Sequence, residues 1–456
     1  MSDKKPPVLL LVFIAMSQFS SAFMHSIMGV TLPSMGRELD ASGVELGLAE
    51  TIFVGIAAAL LLPIGRFADA TDKNTLFKSG LLALGITTFV IGFQPSIESV
   101  IVARFFQGVA AAFLTATSIA IVADIAPRNR LGQMLGLAIG ATYVGLASGP
   151  FFAGLITTHL GWRWVFFLAA TPPLLSYLLS RATLKSQWRA PNKSVNLPNS
   201  ALLVISIMAF IAGAAMLKHT GTGTALIALG ICLGVLFIVA ERRSAYPLLK
   251  IEEVVANRDL SQALVVQFLI YCGTIGATFL LSLYLQFIQG NTPETAGQIL
   301  VLGPVVMAVF APLAGRVADR MSPRRLSALG AASILCSVAL AALITERTGV
   351  GLIIAIMVFQ GLGFAMFSAP NIALIMNSVG PTERGLASAL SAVMRSLGMV
   401  ISMFIVTAFL SMRLGDGAIG NRPSEFLSAM SWSFSIFAVL TAIGVVLAAV
   451  PRRTNT

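Results

Sequence analysis

A carboxylate, an imidazole and a guanidinium stand inside apolar stretches of this chain: Glu50 in LGLAETIFVG, His25 in FMHSIMG and Arg104 in VARFFQG. A charge removed from water is expensive, so an ionisable residue within an apolar span is by default a functional hypothesis. Histidine titrates near neutral pH. An arginine favours the ionised form of a nearby carboxylate, whereas loss of water disfavours it. A site that alternates between wet and dry surroundings could therefore load and release a proton. Glu50 is expected to carry that coupling, tuned by Arg104 and assisted by His25. Two plainer readings stand beside this one. The second span could start after Glu50, leaving the carboxylate in water, and His25 could be a polar residue satisfied by a neighbour. His25 shares one stripe of its helix with Gln18 and Ser21, at spacings of seven and four.

The elements that must position these residues follow from composition. Of 456 residues, 57% are apolar and 11% charged, against about 25% charged in an ordinary soluble domain. Such a chain cannot hide its apolar surface in water. Apolar segments recur near 8–33, 46–64, 76–93, 97–120, 132–156, 164–180, 200–217, 224–240, 261–289, 296–315, 326–344, 350–376, 386–410 and 428–450, fourteen in all. Many approach the roughly 20 residues a helix needs to cross the bilayer core. The Lys4-Lys5 pair ahead of the first segment resembles a signal-peptide flank, but no small-residue cleavage site follows, so the segment reads as a retained span.

An even number of spans puts both termini on one side, and the positive-inside bias chooses the side. With the amino terminus in the cytoplasm, 22 of the 30 basic residues fall inside, 6 outside, and Arg104 and Arg395 within spans. The net charge of +11 is thereby explained as topology, with no nucleic acid. The clusters Arg181, Lys185, Arg189, Lys193 and Arg242, Arg243, Lys250, Arg258 set orientation, or also meet anionic lipid. In this topology His25 lies late in an outward helix, and Glu50 and Arg104 lie early in inward ones. All three fall in the outer half of the first bundle. Cys232, Cys272 and Cys336 sit in apolar segments without disulfide or metal spacing, so no metal or cofactor is expected.

The chain repeats itself. Gly65-Arg66-Phe67-Ala68-Asp69 returns as Gly315-Arg316-Val317-Ala318-Asp319, Phe106-Gln107-Gly108 as Phe359-Gln360-Gly361, and Pro127 to Arg130 is echoed by Pro381 to Arg384, at offsets of 250, 253 and 254. Six spans with short connections need roughly 200 residues, so the offset leaves room for two extra helices. The expected architecture is all-α and integral to the membrane: six-helix bundles at 1–195 and 256–456, with a two-helix insertion at 196–255. Parallel six-helix repeats around a midplane path belong to rocking secondary transporters.

These motifs resemble the major facilitator superfamily, and within it the fourteen-span drug:proton antiporters, over nearly the whole chain. Gly65 to Asp69 with Lys73 is similar to the loop after the second helix. Ala70, Asp72 and Asn74 replace its usual Arg, Gly and Lys, while the second copy, Gly315, Asp319 and Arg320 with Arg324 and Arg325, is fuller. Arg104 to Gly108 resembles the fourth-helix motif, whose arginine the family places beside the proton-coupling site. Gly145 to Pro150, continuing to Ala153-Gly154, is similar to the antiporter motif of the fifth helix, and the resemblance implies a hinge there that guards against leak. Gly145 and Gly149 also share one helical face, which admits a neighbouring helix, and Pro150 disturbs the ladder. Trp162-Arg163-Trp164 and Tyr284-Leu285-Gln286, with Gly290, Pro293, Ala296 and Gly297, match the fourteen-span pattern. Met24 departs from it, standing where the family's first helix carries an acid.

Further polar candidates for a substrate cavity are Gln18, Gln107, Tyr271, Tyr284, Gln286, Gln360 and Asn371. Arg395, alone in the thirteenth span, either caps a helix carbonyl or meets an anionic group of a substrate. No phosphate-binding loop, zinc-protease motif or nucleophile elbow occurs, so an enzyme is not expected. The leading expectation is proton-coupled export of amphipathic small molecules, cations among them, across a bacterial inner membrane by a monomer. A dedicated exporter of one metabolite, anionic if Arg395 meets it, is the alternative within transport. A membrane sensor without turnover is the alternative outside it, opposed by non-membrane stretches of only about twenty residues.

Overall fold

The computed structural model describes residues 8–125, 131–183, 196–218, 220–244, 248, 251–318, 321–380, 384–415, 417 and 419–450, all helical or irregular among them. Helices α1 (Val8–Glu38), α2 (Gly43–Ala70), α3 (Lys73–Ile91), α4 (Ile97–Ile125), α5 (Leu131–Leu160) and α6 (Trp162–Thr183) come first. The hairpin α7 (Leu197–Ala215) and α8 (Thr220–Arg243) follows, then the short α9 (Ile251–Ala256). The second bundle holds α10 (Arg258–Tyr271), α11 (Ile275–Leu283), α12 (Pro293–Leu300), α13 (Leu302–Ala318), α14 (Pro323–Ala341), α15 (Val350–Asn377), α16 (Arg384–Arg413) and α17 (Pro423–Ala449). Eleven helical segments among the described residues are long and apolar enough to cross a membrane. α1, α5 and α6 are further helices of 31, 30 and 22 residues.

Two caps set the elements that carry the site. Ser42 accepts from the Glu45 amide, and the Glu45 carboxylate accepts from the Ser42 amide at 2.8 Å, a capping box that starts α2 at Gly43. The start is earlier than the expected 46, so Glu50 lies two turns inside the helix and is 3% exposed, which removes the reading that left it in water. Asp72, a departure from the family loop, accepts from the Asn74 amide at 3.1 Å and caps α3.

The ninth segment differs from the single helix expected over 261–289. α10 stops at Tyr271, Cys272 to Thr274 form a turn, α11 resumes at Ile275, and Tyr284–Ile288 closes the run as a π-helical turn. The span expected at 296–315 is likewise α12 and α13 with a break at Val301.

The fifth helix packs as its glycines require. A Cβ on Gly145 would meet the Phe19 carbonyl at 2.5 Å, and one on Gly149 would meet Ser26 Cβ at 2.5 Å, so α1 lies directly on this face. Pro150 has no N–H to give the carbonyl four residues back. That carbonyl, on Leu146, instead accepts from the Ser26 hydroxyl at 2.8 Å. The other face of α5 meets the second bundle, with Gly154 against the Pro293 carbonyl and Gly297 against that of Pro150.

The two bundles touch near the carboxyl-terminal parts of α1 and α5 and the amino-terminal part of α2. The Thr51 and Thr407 hydroxyls lie 3.2 Å apart, Gln286 donates to the Val30 carbonyl at 3.0 Å, and the Glu294 amide donates to Thr158 Oγ1 at 3.1 Å. The hairpin lies beside this seam: Phe210 stacks on Phe404 with centroids 4.0 Å apart, and Ile211 packs over Gly55 of α2. α8 turns Ile231, Val235, Leu236 and Val239 outward, as a helix facing lipid does.

Candidate functional site

Glu50, His25 and Arg104 come together from α2, α1 and α4. Arg104 Nη2 donates to Glu50 Oε2 at 2.8 Å, and His25 Nδ1 lies 2.9 Å from Oε1. The rest of the guanidinium is also engaged. Nε donates to the Ala49 carbonyl at 3.1 Å, and Nη1 to Gln107 Oε1 at 2.7 Å. Gln107, three residues on and therefore on the same face of α4, passes the chain onward by donating to Thr88 Oγ1 at 2.8 Å. Thr88 ends it by donating to the Leu84 carbonyl at 2.6 Å.

Phe53, one turn beyond Glu50, lies under both of its partners. The Arg104 guanidinium sits 4.1 Å from its centroid, and the His25 ring lies nearly parallel at 6.1 Å. A cation over an aromatic face gains from the ring quadrupole, most when water is excluded. Burial is graded: Arg104 is 0% exposed, Glu50 3% and His25 17%. The cluster thus runs from the accessible imidazole inward to a fully enclosed guanidinium. Met24, where the family has an acid, is buried beside it, its sulfur 3.5 Å from the Thr88 hydroxyl.

His25 and Glu50 face a cavity of about 190 Å³ between the two bundles. Ser26, Gly29, Leu146 and Pro150 complete the wall from the first half. The second half contributes Tyr271, Thr274, Ile275, Thr278 and Phe279, with Leu300, Met307, Met357, Gln360, Phe364 and Met399. Outside the cluster the wall is apolar and soft, with three methionine thioethers and tilted Tyr271 and Phe364 rings 5.5 Å apart.

The other sequence candidates are distributed unevenly. Tyr271 and Gln360 line the cavity. Gln107 does not, being sealed behind Arg104. Gln18 is half-buried on α1 and outside the lining. Tyr284 is buried and donates to the Thr345 carbonyl at 2.8 Å, and Gln286 spans the seam between the bundles. Asn371 is buried among α10 residues, donating to the Ala263 carbonyl at 3.3 Å and to Gln267 Oε1 at 3.4 Å. Gln107, Tyr284, Gln286 and Asn371 leave the cavity for one reason: their amides or hydroxyls satisfy groups of other side chains or helices. Arg395 is half-buried on α16, with no hydrogen bond or ion pair to any described residue.

Of the loop motifs, Gly65 and Gly315 have open space where a Cβ would stand, and Arg66 donates to the Leu248 carbonyl at 3.3 Å. Lys73 opens α3. Asp319, Arg320 and the side chain of Asp69 lie outside the described residues. Phe53 and Ser26 are the residues sequence reasoning missed. Each carried a signal: Phe53 is three residues from Glu50, and Ser26 adjoins His25.

Comparison with known proteins places this geometry in context. A family model described as Major Facilitator Superfamily matches residues 14–240 and 263–455. The riboflavin transporter RibZ of Clostridioides difficile is 25% identical over 449 residues, covering 96% of both chains. The multidrug efflux pump LfrA of Mycolicibacterium smegmatis is 28% identical, over 91% of this chain and 84% of that one. The puromycin resistance protein pur8 of Streptomyces alboniger is 28% identical, over 96% and 88%. Among solved structures, the nucleoside transporter NupG superposes with a TM-score of 0.65 at 13% identity, over 96% of this chain and 98% of that one, a likeness of fold.

Proposed function

This chain belongs to the Major Facilitator Superfamily, and on that premise we propose that it exports amphipathic small molecules in exchange for protons by alternating access. It is a multi-pass membrane transporter and not an enzyme. The finer reading is of fourteen spans, six in each of the bundles 1–195 and 256–456 and two in the insertion 196–255. Both termini face the cytoplasm of a bacterial inner membrane, and the working unit is a monomer. The distribution of basic residues supports the orientation, and the relatives named for drug efflux and antibiotic resistance support export.

One observation carries the coupling: Glu50 is held between His25 and Arg104 at the wall of a cavity shared by both halves. With Glu50 ionised and His25 neutral, the Glu50–Arg104 pair has no net charge. A proton taken up on His25 or Glu50 leaves one positive charge at the wall. A substrate in the cavity and that proton therefore compete for the same few ångströms, which is what exchange requires. The outer seam of Thr51, Thr407 and Gln286 must part for the proton to enter from outside, and the α5 face of Gly145 and Gly149 is the surface on which the first half can rock.

The test is proton release from everted vesicles on adding substrate, for wild type and Glu50→Gln. Gln keeps the hydrogen bond to Arg104 and loses the titration, so proton-driven flux is expected to fall roughly 100-fold while gradient-free exchange persists. Unchanged substrate-dependent proton release in Glu50→Gln would remove Glu50 from the coupling.

A further inference from the structure

We propose that the substrate carries an anionic group and that Arg395 receives it on the inner side of the cavity. This rests on the transport reading above and adds the substrate's charge. Among the cavity-lining side chains only Glu50 is acidic, and it is already paired with Arg104 at 2.8 Å and approached by His25 at 2.9 Å. A cation entering this cavity meets no uncompensated negative charge. An anion likewise meets no uncompensated charge of its own sign.

The position of Arg395 follows from its neighbours on α16. Ser391 and Gly398 face α10, the first donating to Gln267 Oε1 at 2.9 Å and the second lying against the Phe268 carbonyl. Ala392 and Val393 pack with Leu61 of α2. Met399, one turn beyond Arg395 and on the same side of the helix, lines the cavity. Arg395, which is not itself among the residues lining the cavity, therefore faces the gap between α10 and α2 one turn from Met399, on the side that the proposed topology makes cytoplasmic.

An arginine within a span is costly and is ordinarily paired. Arg104 shows how this chain treats one it means to bury: every edge of the guanidinium is engaged. Arg395 keeps its planar donor fork for a carboxylate or similar oxyanion. The rest of the cavity then describes the rest of the molecule. Methionine and aromatic side chains fit a flat apolar body, and the Gln360 amide and Tyr271 hydroxyl, which make no hydrogen bonds to described residues, can read its polar edge.

The experiment is counterflow in vesicles with three probes of one ring: naphthylacetate, naphthylacetamide and naphthylethylamine. Wild type should favour the carboxylate. Arg395→Gln should raise its KM about tenfold, as expected for losing a charged hydrogen bond, and leave the amide unchanged, while Arg395→Lys retains most of the preference. Preference for the amine, or an equal effect of Arg395→Gln on all three probes, would overturn the assignment. So would unchanged selectivity together with lost thermal stabilisation by phosphatidylglycerol, which would make the anion a lipid phosphate. Counterflow needs no proton gradient, so selective counterflow without proton coupling would sink the antiport reading and leave this one standing.

Discussion

The two halves of the chain present opposite chemistry to one cavity. The repeat offsets of 250 and 253 carry His25, Glu50 and Arg104 onto Ile275, Leu300 and Met357. All three counterparts line the cavity from the far side. One half offers an imidazole, a carboxylate and a guanidinium behind them, and the other offers three apolar side chains at the matching places. The backbone packing, in contrast, is shared. Gly145 of α5 lies against the Phe19 carbonyl of α1, and Gly398 of α16 lies against the Phe268 carbonyl of α10. Helix approach is fixed by glycines in both halves, whereas charge is supplied in one. A duplicated scaffold can thus hold the proton on one wall and the apolar body of a substrate on the other.

The strongest way to break this comparison is to make the first wall like the second. Arg104→Met alone strands a buried carboxylate and is expected to cost about 3–5 kcal/mol of stability. Thermal unfolding in detergent would measure it. Adding Glu50→Leu removes the stranded charge, and replacing a whole buried pair with apolar groups is often neutral or stabilising by about 1–4 kcal/mol. The double variant should therefore melt at or above the wild-type temperature and yet release no protons when substrate is added. If the double variant melts as low as the single one, the pair is holding the fold together and its place in the site is incidental.

Charge, the alternation of span direction and the resemblance around Arg104 brought the cluster within reach in the sequence: they put His25, Glu50 and Arg104 at one depth. The repeat was equally open to reading, because it is written in glycines, arginines and aspartates that loops and close contacts demand. Depth, however, is not direction. Gln107, Tyr284, Gln286 and Asn371 are polar residues in spans like Tyr271 and Gln360, and only packing separates those that bond to other side chains and helices from those that face the cavity. The break at Cys272 to Thr274 was hidden for a similar reason. No proline interrupts that run, and an apolar stretch reads the same whether or not its hydrogen-bond ladder is continuous.

A second comparison concerns one contact that the halves make in reverse. In the first half Ser26 lies on α1 and Gly149 on α5; in the second, Gly276 lies on α11 and Ser402 on α16, with the Gly276 amide donating to the Ser402 hydroxyl at 3.0 Å. Gly149→Ser puts two side chains where one fits, since even a Cβ there would stand 2.5 Å from that of Ser26. Overpacking of this kind costs about 1–3 kcal/mol. Joining it with Ser26→Gly copies the arrangement of the second half and should recover most of the loss, read by the same thermal melt. No recovery would mean that the two contacts only look alike.

The smallest effect separates packing from hydrogen bonding at that contact. Ser26→Ala keeps the Cβ that meets Gly149 and removes only the hydroxyl, leaving the Leu146 carbonyl without the donor that replaces the missing Pro150 amide. An unsatisfied buried acceptor costs on the order of 1 kcal/mol or somewhat more, so the melt should move only slightly. Function should respond more than stability does, because Ser26, Leu146 and Pro150 all line the cavity at the point where α5 also meets α12. The expected signature is a proton leak without substrate in Ser26→Ala vesicles, measured as faster decay of an imposed pH gradient. If decay stays at the wild-type rate while the melt shifts, the hydroxyl only satisfies a carbonyl and the seal is made by the glycines alone.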